Sequence, residues 1–183
     1  MTLKSINSFK PDSYLPSVYD INYLKLHENG IRYAVFDVDS TILPFDDIKV
    51  TDKCMSLFND IKDIGITPAL CSSGFIRRVK PVAEVLEVNY MARASKPFVS
   101  FERIKKLFDI NCEAKTTMYV GDSLLFDMTL ARKIKMYKVL VDMIREGSRV
   151  KIFANDALQA FMYISLKKEG FQFQKYYRGY MER

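Results

Sequence analysis

Short apolar runs, each stopped by a polar or charged residue, recur along the middle of this chain. They are Tyr33-Ala34-Val35-Phe36 before Asp37, Ile66 to Cys71 before Ser72, Val88 to Met91 before Ala94-Ser95-Lys96, Thr117 to Val120 before Gly121-Asp122, and Tyr137 to Val141 before Asp142. Between them apolar residues return at helical spacing. Cys54, Leu57, Phe58, Ile61 and Ile64 follow a Thr51 cap and end at Gly65; a second stretch runs from Phe75 to Leu86 and is interrupted or kinked by Pro81. Residues 98–109 place Phe98, Phe101, Ile104, Leu107 and Phe108 on one helical face, and a further helix carries Asp127 and runs to about Ile134. Near-continuous apolar strands are the mark of strands covered on both sides. Their alternation with helices predicts an α/β fold: one Rossmann-like domain, a five-stranded parallel sheet with helices on both faces.

The flanks differ from this pattern. Residues 1–30 are punctuated by Pro11-Asp12, Pro16 and Asn29-Gly30, with Tyr14, Leu15, Val18, Tyr19, Ile21 and Tyr23 between them. They read as an N-terminal arm packed on a core of residues 31–155, with a short helix near Tyr23 to Glu28. Residues 156–168 form an apolar helix ending in Lys167-Lys168, and the chain continues as GFQFQKYYRGYMER. Residues 167–183 hold five Lys or Arg against two Glu, so this segment suits either packing and dimer contact or the surface of an anionic membrane.

Composition narrows the chemistry. The chain has 183 residues, 49% hydrophobic and 27% charged, with a formal net charge of +6 that favours anionic partners. Cys54, Cys71 and Cys112 are widely spaced and form no CxxC pair, which argues for reduced thiols in a cytoplasmic setting and against a zinc site. His27 is the single histidine, so a His-based zinc cluster has too few ligands. The first residues lack the apolar stretch of a signal peptide, and no apolar run reaches membrane-spanning length.

Four strand ends carry polar groups: Asp37 and Asp39, Ser72, Lys96, and Asp122. In an open parallel sheet these fall on one edge, where ligands bind. Carboxylates are hard ligands suited to Mg²⁺, which completes its shell with waters and phosphate oxygens. A hydroxyl and an ammonium suit an anion, and a carboxylate can attack phosphorus to give an acyl phosphate. The set therefore points to phosphoryl transfer.

Asp37-Val38-Asp39-Ser40-Thr41 resembles the DxDxT motif of the haloacid dehalogenase-like phosphohydrolases. Ser72, Lys96 in Ser95-Lys96-Pro97, and Gly121-Asp122-Ser123-Leu124-Leu125-Phe126-Asp127 (GDxxxxD) match that superfamily's other three motifs in order. Phe9-Lys10-Pro11-Asp12-Ser13-Tyr14, Ser17 to Ile21, Arg77/Arg78-Val79 and Ala94 to Pro97 are similar to the YqeG-type, subfamily IIIA phosphatases, whose relatives include phosphatidylglycerophosphate phosphatases. Ser40 stands where Asn is usual, and Ser73-Gly74 where Asn-Asn is usual.

The resemblance implies Asp37 as nucleophile and Asp39 as general acid/base. It implies Mg²⁺ held by Asp37, the Asp39 backbone carbonyl and Asp122, with Asp127 as a further metal-orienting carboxylate. Ser72, Ser73 and Lys96 belong to the phosphate-binding set, Thr41 braces the loop, and Arg77 is the candidate substrate clamp. The intervals Thr41–Ser72 and Ser72–Lys96 are each filled by one helix, one strand and their loops, so no cap domain is expected. An open site implies a large substrate, or a lid from a neighbouring chain or surface. The implied function is a Mg²⁺-dependent phosphomonoesterase, with a lipid phosphate as first candidate substrate, peripheral membrane contact and a homo-oligomer left open, and nucleic acid not favoured. The alternatives are a phosphatase for a nucleic-acid end or phosphoprotein, and a non-catalytic phosphate-binding scaffold.

Overall fold

Strands β1 (Ser13–Leu15), β2 (Tyr33–Phe36), β3 (Thr67–Cys71), β4 (Asn89–Met91), β5 (Thr117–Gly121) and β6 (Tyr137–Val141) form one parallel sheet. Their spatial order is β1-β6-β5-β2-β3-β4. This computed structural model describes residues 10–144 apart from 46 and 110, together with 164 and 166–168. Among the described residues the α-helices that accompany the sheet are α1 (Tyr23–Glu28), α2 (Asp52–Asp63), α3 (Ile76–Leu86), α4 (Phe101–Lys105) and α5 (Thr129–Lys133).

Strand parity sorts the core into two layers, because successive side chains leave a strand on opposite faces. Ala34 and Phe36 of β2, with Met118 and Val120 of β5, pack under α1, α2 and α3, which contribute Tyr23, Cys54, Phe58, Ile61, Val79, Val82 and Leu86. Val35 and Tyr119, one residue out of phase, meet Ile104 of α4 and Leu130 and Ala131 of α5 on the other face. All four residues of β2 are buried, so the strand needs apolar residues in both phases, and YAVF supplies them. Thr51 caps α2 by accepting the Cys54 N–H at 3.2 Å.

The sheet has six strands where five were expected. The extra one, β1, comes from the segment read as an arm. Three residues between Pro11 and Pro16 carry little strand signal of their own, and β1 exists because β6 offers a ladder in the register Ser13↔Val139 to Leu15↔Val141. Asp12 fixes the entry, with its N–H donated to the Lys138 carbonyl at 2.9 Å and its carboxylate receiving the Lys138 N–H at 2.8 Å. The 98–109 segment also departs from expectation: the helix is confined to Phe101–Lys105, and Leu107 and Phe108 close turns. Among the described residues no second folded unit stands over the sheet, and no helix is long and apolar enough to cross a membrane. The expected 156–168 helix and the basic-aromatic tail lie outside the described residues, except Ile164 and residues 166–168, which are helical.

Candidate active site

The register Phe36↔Val120 sets the ends of β2 and β5 side by side, and the Asp37 N–H extends the ladder to the Val120 carbonyl at 2.9 Å. Asp37 and Asp122 thus leave neighbouring strands at one edge, both buried. Beyond Asp37 the chain turns sharply. The Val38 carbonyl accepts from Thr41, Ile42 and Leu43, and Ser40 takes a left-handed conformation with φ of 64°. That turn sends Thr41 back toward the strand ends, where its hydroxyl donates to Asp122 Oδ1 at 3.0 Å and reaches Asp37 Oδ2 at 3.5 Å.

Asp127 arrives by a different device. The Met128 N–H joins the Asp127 N–H on the Ser123 carbonyl, both at 3.0 Å, so residues 124–128 form a widened π turn before α5 begins. The turn folds Asp127 over Gly121: a Cβ at Gly121 would lie 2.4 Å from the Asp127 carboxylate carbon, so any side chain there displaces the carboxylate. The Ser123 N–H donates to Asp127 Oδ2 at 3.1 Å.

Lys96 closes this buried half of the site. Its ammonium donates to Asp37 Oδ1 at 2.5 Å and to Asp127 Oδ1 at 2.8 Å, with its side chain only 5% exposed and the Tyr119 ring beneath it. Asp37, Asp122 and Asp127 each present an oxygen within 4.8 Å of the others. Three buried carboxylates against one ammonium leave an excess of negative charge, which a divalent cation neutralises, and all-oxygen donors suit Mg²⁺. The arrangement thus fits the cofactor. Burial pushes Asp37 up to about 7, against the pull of Lys96. Burial, then the Asp127 and Asp37 charges, holds Asp122 well above the usual aspartate range. Burial also works against the Lys96 charge, but Asp127 and Asp37 outweigh it and raise its pKa.

Asp39 faces a different setting, outside that cluster and partly exposed. It accepts from Arg78 Nε at 2.5 Å, pairs with the same guanidinium through Nη2, and accepts the Ser72 hydroxyl at 3.3 Å. Arg78 also donates to the Asp47 carbonyl at 2.5 Å and the Pro44 carbonyl at 3.1 Å, so one planar fork holds both the carboxylate and the loop after β2. Gly74 stays close, its N–H donating to Ser72 Oγ at 2.9 Å.

The structure therefore brings together Asp37, Asp39, Thr41, Ser72, Lys96, Asp122 and Asp127. Two candidates fall elsewhere. The Arg77 side chain is exposed, 5.6 Å from the Phe75 ring, and its neighbour Arg78 is the arginine aimed at the site. One residue along the first turn of α3 rotates a side chain by about 100°, so the two arginines cannot share a target. The Ser73 hydroxyl is spent on the Ala94 carbonyl at 2.8 Å, where it ties the β3 loop to the loop bearing Lys96. Arg78 and Gly121 are the residues whose parts sequence reasoning left open or missed. Arg78 could be found only by knowing the phase of α3. Gly121 stood inside the matched GDxxxxD stretch without a stated reason to be glycine.

No family model matches the chain. It is 24% identical over 163 residues to the Bacillus subtilis (strain 168) protein named Probable phosphatase YqeG, covering 88% of this chain and 94% of that one. Among solved structures, it is similar to a haloacid dehalogenase superfamily (subfamily III A) hydrolase from Legionella pneumophila, at 18% identity over 81% of this chain and 89% of that one, with a TM-score of 0.49. It is also similar to a Moraxella catarrhalis 3-deoxy-D-manno-octulosonate 8-phosphate phosphatase solved with magnesium, phosphate and KDO, at 14% identity, 82% and 98% coverage and a TM-score of 0.45.

Proposed function

We propose that this chain is a phosphatase of the YqeG-type, subfamily IIIA branch of the haloacid dehalogenase-like phosphohydrolases and hydrolyses phosphomonoesters through a phosphorylated Asp37, a reading supported by its similarity to the Bacillus subtilis protein. The observation that carries the reading is the Lys96 bridge between Asp37 and Asp127 beside Asp122: a buried carboxylate at a strand end, braced by an ammonium. Mg²⁺ held by Asp37, Asp122 and Asp127 would offset phosphoryl charge and draw the nucleophile into its ionised form.

The chain's own groups divide the remaining tasks. An Asp37 carboxylate oxygen attacks phosphorus, the bond from phosphorus to the ester oxygen breaks, and Asp39 gives its proton to the departing alkoxide. Asp39 then takes a proton from water, whose oxygen attacks phosphorus. The bond to Asp37 breaks and inorganic phosphate leaves. Lys96 and the Ser72 hydroxyl stabilise the phosphoryl oxygens, and Thr41 keeps Asp37 and Asp122 in register. Arg78 is a positioning residue, holding Asp39 and the Pro44–Asp47 loop together.

Among the described residues no second folded unit stands over the strand ends, which supports a substrate too large for an enclosed pocket. A lipid phosphate presented at a membrane surface, such as phosphatidylglycerophosphate, is the candidate we favour. The test of the chemistry is Asp37→Asn. Turnover of an aryl phosphate with Mg²⁺ falls by at least about 10³-fold, and wild type briefly exposed to substrate carries a phosphoryl mass increase on the Asp37 peptide. Undiminished turnover by the variant would falsify the mechanism.

A further inference from the structure

The loops that hold the phosphate-binding residues also carry, among the described residues, the two most exposed large apolar side chains. Phe75 is 57% exposed, Ile76 53% and Phe98 79%. Phe75 follows Gly74, whose N–H donates to Ser72 Oγ and where a Cβ would lie 3.3 Å from Asp39 Oδ2, and Phe98 lies two residues beyond Lys96. The two loops are stitched together: the Arg93 N–H donates to the Gly74 carbonyl at 2.8 Å, the Ala94 N–H to the Ser72 carbonyl at 2.9 Å, and the Ser73 hydroxyl to the Ala94 carbonyl. Phe75 and Phe98 thus stand on the two loops that bear Ser72 and Lys96, with Ile76 next to Phe75 at the start of α3, while Leu24, Ile48 and Val85 are comparably exposed on other parts of the chain.

Each ring has a cation beside it. The Arg93 guanidinium lies 5.1 Å and that of Arg77 5.6 Å from the Phe75 centroid, and the Lys133 ammonium lies 4.6 Å from that of Phe98. Apolar anchors with flanking cations are the chemistry of an interface between acyl chains and anionic headgroups. A base-stacking surface fits less well, since Ile76 offers no π face and the cations already occupy ring faces. A protein partner would have to provide acidic groups matching three separate cations, whereas an anionic bilayer supplies that charge everywhere.

We propose that this rim seats the enzyme on an anionic bilayer, with Phe75, Ile76 and Phe98 entering the headgroup boundary and Arg77, Arg93 and Lys133 on the phosphates. The inference rests on the lipid-phosphate reading above and gives it a surface: the bilayer itself lies over the strand ends, above which no second folded unit stands among the described residues.

The experiment compares the full chain with Phe75→Ser/Phe98→Ser by sedimentation with phosphatidylcholine vesicles, with and without phosphatidylglycerol. Wild type should bind the anionic vesicles, weakening as salt rises, and the double variant should lose at least about tenfold in binding while keeping aryl phosphate turnover within about twofold. Phe98→Ser alone, at the most exposed of these sites, should lose about threefold and decides the matter should the double variant be misfolded. Lys133→Gln should lessen anionic binding only. Equal binding by wild type and both rim variants, or no wild-type binding to either vesicle, overturns the proposal. So does a wild-type dimer that the double variant converts to monomer without a change in vesicle binding, or preferential capture of a single-stranded oligonucleotide through the same residues. Sedimentation does not require turnover, so an inactive protein that binds through the rim would fail the phosphatase mechanism alone.

Discussion

Asp37 and Asp39 are separated by one residue, yet they occupy unlike surroundings. Asp37 lies in a buried cluster with Asp122, Asp127 and the Lys96 ammonium, and its carboxyl is pushed up to about 7. Asp39 sits at the mouth on an arginine fork and a serine hydroxyl, with a 19% exposed side chain. The difference follows from strand alternation and a sharp turn: Asp37 ends the ladder, while Asp39 is already in the loop. On the mechanism proposed above, one half would hold cation and phosphate charge away from water and the other would meet water and a leaving group. Identical side chains would then acquire separate tasks from their neighbours.

Breaking the buried half costs most. Lys96→Gln leaves Asp37 and Asp127 without their counter-charge, so stability should fall by about 3–5 kcal/mol in urea titrations and activity by about 10²-fold or more. Mg²⁺ should recover part of the stability, since it neutralises the same carboxylates. The Asp39 half should be gentler. Arg78→Gln loosens a positioned group without stranding buried charge, so kcat should drop about 10- to 100-fold with little change in KM, whereas Arg77→Gln should stay within about threefold. Equal effects of the two arginines would remove the distinction between them.

Titration separates the halves more finely. Folding raises Asp37 from 3.8 to about 7, so between those values the folded chain holds a proton that the unfolded chain has released. Stability from this group is greatest below the unfolded value and is lost as pH rises through the folded one. In EDTA, Tm should therefore decline between about pH 5 and about pH 8, Asp37→Asn should flatten that decline, and Mg²⁺ affinity should grow over the same range as the carboxylates ionise. Lys96, raised above its ordinary value, stays charged throughout. The smallest effect is expected at the turn between the halves. Ser40 has φ of 64°, and Asn tolerates that conformation better, so Ser40→Asn should gain under about 1 kcal/mol by denaturant midpoint.

The layers of the fold and the buried half were legible because they depend on short-range rules. An apolar run that stops at a carboxylate is visible at Phe36-Asp37 and Val120-Gly121-Asp122, and parallel strands then bring those ends together. What stayed hidden depends on partners far along the chain or on angular phase. Ser13–Leu15 becomes a strand only against β6. Arg77 and Arg78 are indistinguishable until the start of α3 is known. Ser73 has the right chemistry for a phosphate, but a backbone carbonyl claims its hydroxyl. The π turn that carries Asp127 over Gly121 leaves no mark in hydrophobic spacing.

The pairing of β1 with β6 has a consequence for the order in which the molecule can be made. Among the described strands the first in the chain is joined in the sheet to the last, Ser13 to Val139, and the Tyr14 hydroxyl closes onto Asp142. During synthesis β1 has no ladder until β6 emerges, whereas β2 and β3, the next strands made, are already sheet neighbours. The described sheet can therefore assemble from β2 and β3 outward, with the strand that ends at Asp37 seated before the free edge of β6 is closed. Once β6 has emerged, β1 masks its otherwise bare rim, the kind of unpaired edge through which nascent sheets join one another.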